Sequence, residues 1–95
     1  MDKQILDKLR ELKPVLNEKF GIEEFAVFGS YAKGKETEDS DVDIAILKMK
    51  EKKLIYRLNA IELLKMELKK DIDMGYFSSM KTFIKNRIKK DFIYV

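Results

Sequence analysis

Phe28-Gly29-Ser30-Tyr31-Ala32-Lys33-Gly34, followed by Asp39-Ser40-Asp41-Val42-Asp43-Ile44, is the stretch whose reading decides the fold. A short apolar run, Glu24–Phe28, ends at a glycine and a serine, then opens a polar helical turn over Ser30–Lys33 that Gly34 closes. A polar loop over Lys35–Ser40 leads to a second apolar run, Val42–Leu47. The pattern predicts strand, turn, one helical turn, loop and strand. In a strand, residues two apart share a face, so Asp41 and Asp43 project together while Val42 and Ile44 project the other way. Two like charges held side by side repel, unless a cation lies between them.

Gly29-Ser30 has the complementary chemistry. Backbone N–H groups at a helix start attract an anion. A glycine has no Cβ to keep a phosphate away from the backbone, and the Ser30 hydroxyl adds a donor. A polyphosphate needs donors on one side and a divalent cation on the other, and this one unit offers both. Each signal alone is common: an Asp-x-Asp at a strand end is mostly solvated, and a Gly-Ser turn mostly caps a helix. It is their joint spacing that makes them specific.

Outward from this unit, Ile5, Leu9, Leu12 and Leu16 recur at helical spacing, which predicts a helix over 2–20 capped by Asp2 and stopped by Gly21. Pro14 lies inside it and predicts a kink or a break near Leu12–Lys13, with Pro14 opening a new turn. A long helix is expected over Glu51–Lys69 with Leu54, Leu58, Ile61, Leu64 and Leu68 as its buried stripe. Asp71–Phe77 reads as a third strand. Ser78 or Ser79 is expected to cap a last helix carrying Met80, Phe83, Ile84 and Ile88, and the apolar tail Phe92–Val95 to pack down as a short extended piece. The second and third strands, joined through a helix, are expected to be parallel. The first and second, joined by a short loop, are expected to be antiparallel. The fold class is therefore α/β, of the α+β kind: a small mixed three-stranded sheet covered by helices, in a single domain over 1–95.

Asp71 and Asp73 share a face of the third strand, and Asp73, inside the strand between Ile72 and Met74, is the better third carboxylate. Three acids suit a site for two metal ions.

Composition narrows the chemistry. The 95 residues contain no Cys and no His, which excludes disulfides, thiol nucleophiles, Ser-His-Asp triads and imidazole-bound transition metals. What remains suits hard cations such as Mg²⁺ or Mn²⁺. No apolar run reaches the roughly 18 residues of a membrane span, and Met1-Asp2-Lys3-Gln4 shows no signal-peptide pattern, so a cytoplasmic location is expected. Residues 1–47 carry 7 Lys/Arg against 11 Asp/Glu, and residues 48–95 carry 13 against 6, giving −4 and +7. The basic half suits nucleotide, nucleic acid or an acidic partner, although most of its lysines are expected only to solvate helices.

Gly29-Ser30, a ten-residue spacer, Asp41-Val42-Asp43 and a later Asp73 resemble the signature of the minimal nucleotidyltransferases of the DNA polymerase β superfamily. The resemblance extends over nearly the whole chain, with no departure at the signature positions. It implies a polymerase β-like core that moves a nucleotidyl group from a Mg-bound nucleotide. On that resemblance Asp41, Asp43 and Asp73 are catalytic and bind two Mg²⁺ ions. Asp73 also helps to deprotonate the acceptor hydroxyl, and Gly29, Ser30 and Lys33 hold phosphates. Lys33 reads equally well as a solvated helix lysine.

Relatives of this size commonly act as antitoxins of a HEPN-type toxin, a helical RNase, by moving AMP from ATP onto one of its tyrosines. A chain ending at Val95 leaves no room for an acceptor-binding domain, so the acceptor is expected on a partner protein, without direct nucleic-acid binding. Two alternatives stand beside this. One is a nucleotidyltransferase subunit that modifies a small molecule or RNA presented by a separate subunit. The other is a non-catalytic module that covers a toxin. Nothing in the sequence selects the nucleotide base.

Overall fold

The structure, a computed structural model, describes all residues from Met1 to Val95. Its elements are α1 (Lys3–Phe20), β1 (Ile22–Phe28), α2 (Gly29–Lys33), β2 (Val42–Met49), α3 (Leu54–Leu68), β3 (Ile72–Tyr76), a 3-10 turn (Phe77–Ser79), α4 (Thr82–Lys89) and β4 (Ile93–Tyr94). No helix is long and apolar enough to cross a membrane.

The sheet has four strands, not three, in the order β3-β2-β1-β4. The additional strand is the apolar tail, which pairs antiparallel with β1 through Ala26–Tyr94 and Val27–Ile93. It covers backbone groups of β1 that would otherwise form a bare edge. The other pairings are as expected: β1 with β2 antiparallel, β2 with β3 parallel.

Asp2 caps α1, its carboxylate accepting from the N–H groups of Gln4 at 2.9 Å and Ile5 at 3.2 Å. Gly21 ends the helix at φ 71°, with its N–H donating to the Asn17 carbonyl at 2.9 Å. The break expected at Pro14 is absent, and α1 runs unbroken through it. Pro14 is exposed, while Leu12 and Leu16 on either side are buried on one packing face. The lost backbone bond therefore faces water, and the core holds the two segments in line.

The stripe expected along α3 is displaced. Ala60, Leu64 and Leu68 are buried, but Leu54 and Leu58 are 58% and 48% exposed. Arg57 takes the inward place one turn before Ala60. Its guanidinium lies 5.1 Å from the Tyr76 ring centroid and donates to the Met74 carbonyl at 3.3 Å. A cation–π contact and a hydrogen bond thus fix the rotation of the helix, and leucine periodicity does not. The last helix is also corrected. Ser78 and Ser79 belong to the 3-10 turn, and α4 starts at Thr82 with no side-chain cap. Ser78 instead accepts a hydrogen bond from Lys52 at 2.8 Å.

The core is one cluster between α1, α3 and one sheet face, including Leu9, Leu16, Phe25, Val27, Ile44 and Leu64. The other sheet face carries the acids.

Candidate active site

Directly paired residues of neighbouring strands put their side chains on the same face. Phe28 of β1 pairs with Asp43 of β2, and Asp43 pairs with Asp73 of β3. Phe28, Asp43 and Asp73 therefore form one row across three strands. The adjacent row, Val27, Ile44 and Met74, points into the core and is 0%, 0% and 4% exposed. Asp41 lies just before β2, two residues from Asp43, and is exposed.

After Phe28 the chain turns sharply into α2, and Gly29 takes φ 73°. A Cβ at Gly29 would collide with the Asp43 carboxylate, with Cγ at 3.0 Å and Cβ at 3.3 Å. Position 29 must therefore be glycine twice over, for its backbone angle and because Asp43 fills the space beside it. Tyr31, 2% exposed, anchors α2 in the core. No side chain caps α2, and Ser30 Oγ has no hydrogen-bond partner in the protein.

Asp43 is half-buried, and its carboxyl is raised to about 6, first by burial and then by the charges of Asp73 and Asp41. In the folded chain it resists ionisation, because burial and neighbouring like charges both disfavour the charged form. The acids are drawn up in a row and are not closed into a cluster of three metal ligands. The site nevertheless fits a hard cation. Its donors are all carboxylate oxygens, and the cost of charging Asp43 falls when a positive charge sits before it.

Lys33 is exposed on α2 and pairs with Asp91, its Nζ 3.7 Å from Oδ2. Asp71 does not join the row. It is exposed and lies 3.6 Å from Lys65 Nζ.

Two features beside the acids escape a sequence reading. One is an aromatic chain: Phe92 lies 6.3 Å from Phe28, 5.3 Å from Phe77 and 5.7 Å from Tyr94 by ring centroids. The other is a wholly polar cleft of about 340 Å³ between the loop before β2 and the end of α3. Only the basic bias of the second half hinted at the lysines that line the cleft.

Comparison with known proteins agrees with this arrangement. Residues 9–95 match the nucleotidyltransferase domain family. The protein adenylyltransferase MntA of Thermococcus cleftensis is 36% identical over 83 residues, covering 87% of this chain and 84% of that protein. A protein of Methanocaldococcus jannaschii named as a protein adenylyltransferase is 33% identical over 93 residues, covering 97% and 95%. Among solved structures, a minimal nucleotidyltransferase superposes with a TM-score of 0.79 at 24% identity, covering 98% of this chain and 95% of that one, a likeness of fold. A toxin–antitoxin structure with AMP-PNP gives a TM-score of 0.61 at 26% identity, covering 88% and 64%. From a family match over almost its whole length, and relatives above 30% identity along most of it, we conclude that this chain belongs to the nucleotidyltransferase domain family, as a nucleotidyltransferase enzyme.

Proposed function

We propose that this chain, acting as a single cytoplasmic domain, moves AMP from ATP to a hydroxyl of a partner protein, a tyrosine of a HEPN-type RNase toxin, and thereby serves as its antitoxin. The observation that carries this reading is the row in which Asp43 stands between Gly29 and Asp73. Donors for phosphate and carboxylates for a cation meet there, at the seam of three strands. The named adenylyltransferase relatives and the toxin–antitoxin neighbour with AMP-PNP support the same choice of nucleotide and partner.

Asp41, Asp43 and Asp73 would hold two Mg²⁺ ions, which when bound neutralise phosphate charge and favour the ionised hydroxyl. The Gly29 and Ser30 backbone N–H groups and the unpartnered Ser30 hydroxyl donate to the terminal phosphates. Lys33 joins them on leaving Asp91. Asp73, the outermost acid of the row, takes the proton of the acceptor hydroxyl. The acceptor oxygen bonds to the α-phosphorus as the bond from that phosphorus to the bridging oxygen breaks. Pyrophosphate leaves on the Gly29–Ser30 side. The Gly29 and Ser30 donors are in place before the reaction, so they stabilise the developing charge without reorganising.

The test is incubation of the chain with its co-purified partner, ATP and Mg²⁺, followed by intact-mass measurement of the partner. Added AMP units, absent with Asp43→Asn, are expected. An unmodified partner, with label on RNA or a metabolite instead, would contradict the proposal.

A further inference from the structure

The polar cleft has two walls of opposite charge. Lys65, Lys69 and Lys70 line it from the end of α3, and Glu38, Asp39, Asp41 and Asp71 line it from the loop before β2 and the start of β3. Two of the lysines are engaged: Lys65 with Asp71 at 3.6 Å, and Lys70 with the Glu38 carbonyl at 3.3 Å. Lys69 has no ion pair. It is also the chain's one non-glycine residue with positive φ, at 56°, where it closes α3 in the left-handed conformation that favours glycine. A lysine without an ion pair thus lines the cleft at a position where the backbone alone would prefer a different residue.

The cleft stands on a defined side of the site. Across the sheet the order is Gly29–Ser30 after β1, then Asp43 on β2, then Asp73 on β3, and β3 is an edge strand. In an in-line displacement the nucleophile and the leaving group lie on opposite sides of the phosphorus. With pyrophosphate leaving toward Gly29–Ser30, the acceptor arrives from the β3 side, and the cleft meets the site there through Asp41, which lines it together with Asp71 at the start of β3.

We propose that this cleft seats the acceptor segment of the partner protein, with Lys69 binding a carboxylate close in sequence to the accepting hydroxyl. The proposal rests on the AMP-transfer reading above. The lining favours a polypeptide over nucleic acid. Three lysines against four acids give a formal charge of −1, which repels a polyanion, whereas one acidic side chain fits against the lysine wall with its neighbours turned to the acids. Lys69 is a specificity-determining residue and does not touch the reacting atoms.

The experiment measures AMP transfer to the co-purified partner by the wild type, Lys69→Gly and Lys69→Glu at low and high NaCl, with melting temperature and Mg-ATP binding in parallel. Lys69→Gly suits the left-handed backbone, so it should melt above the wild type and bind Mg-ATP equally well. Its KM for the partner should rise about fivefold, the scale of one partly solvated ion pair, with kcat little changed, and Lys69→Glu should raise it further. Added salt should raise the wild-type KM more steeply than that of Lys69→Gly, because the variant lacks one of the charges that salt screens. A purely structural role for Lys69 would produce no such difference in salt response. If the wild type modifies the partner and both variants match it in KM and salt response, the cleft assignment falls and the AMP-transfer reading stands. If the wild type labels RNA and not the protein, both fall.

Discussion

Two adjacent rows of the same three strands behave as opposites. Val27, Ile44 and Met74 are sealed against the helices, and one residue away on each strand Phe28, Asp43 and Asp73 face outward with two acids side by side. The period of two along a strand is enough to separate them. One row holds the fold together, and the other opposes it through the burial, and then the like charges, that raise Asp43. Strain placed directly behind a well-packed row can be tolerated, and it marks where a ligand's charge is missing.

The sharpest way to test this contrast is to cut into the stable row. Ile44→Ala removes a fully buried side chain and should cost about 2–5 kcal/mol in denaturant unfolding. A cost below 1 kcal/mol would mean that the row is not the core.

Gly29→Ala strikes between the rows. The positive φ alone should cost about 1–2 kcal/mol, and the new methyl must push the Asp43 carboxylate aside. The variant should therefore melt lower and lose the thermal shift that Mg-ATP gives the wild type. An undiminished Mg-ATP shift would break the link between Gly29 and Asp43.

Asp43→Asn should act in the opposite direction on stability. The folded carboxyl titrates near 6 and the unfolded one near 3.8, so the folded chain holds its proton more tightly. Wild-type stability therefore falls as pH rises from about 3.8 through about 6, and the loss is complete above that window. The asparagine variant escapes this loss. At pH 7.5 and without metal it should be the more stable by less than about 1 kcal/mol, because solvent screens a half-exposed group. Below pH 4 the difference should vanish. A difference that grew on acidification would reverse the sign assigned to Asp43.

The smallest change should come from α3. Leu58→Ser alters a side chain that is 48% exposed and should move stability by no more than about 0.5 kcal/mol. A loss of 2 kcal/mol or more would restore Leu58 to the core and displace Arg57 from its role in orienting the helix.

Much of the unit from Glu24 to Leu47 was legible because strand period, glycine and paired acids agree there. Four other features were not. Leu54, Leu58, Leu64 and Leu68 share one periodic stripe, and nothing in that stripe tells which half is covered. The choice is made by Arg57 over Tyr76, a contact 19 residues apart in sequence. Ile93–Tyr94 is too short to announce a strand, and becomes one only because β1 offers an edge. Within the site, the parity of Asp41 and Asp43 could be read locally. The register of Asp43 with Asp73 could not, because an entire helix separates their strands. Nor could the left-handed backbone at Lys69, since lysine rarely signals it.

The most direct test of the central claim, that the acid row serves chemistry and not the fold, is a paired measurement on Asp43→Asn. Label transfer from α-³²P-ATP to the co-purified partner with Mg²⁺ is measured beside the melting temperature at pH 7.5. The account predicts transfer reduced to background and a melting temperature equal to or slightly above the wild type. Transfer at the wild-type rate, or a melting temperature several degrees lower, would contradict it.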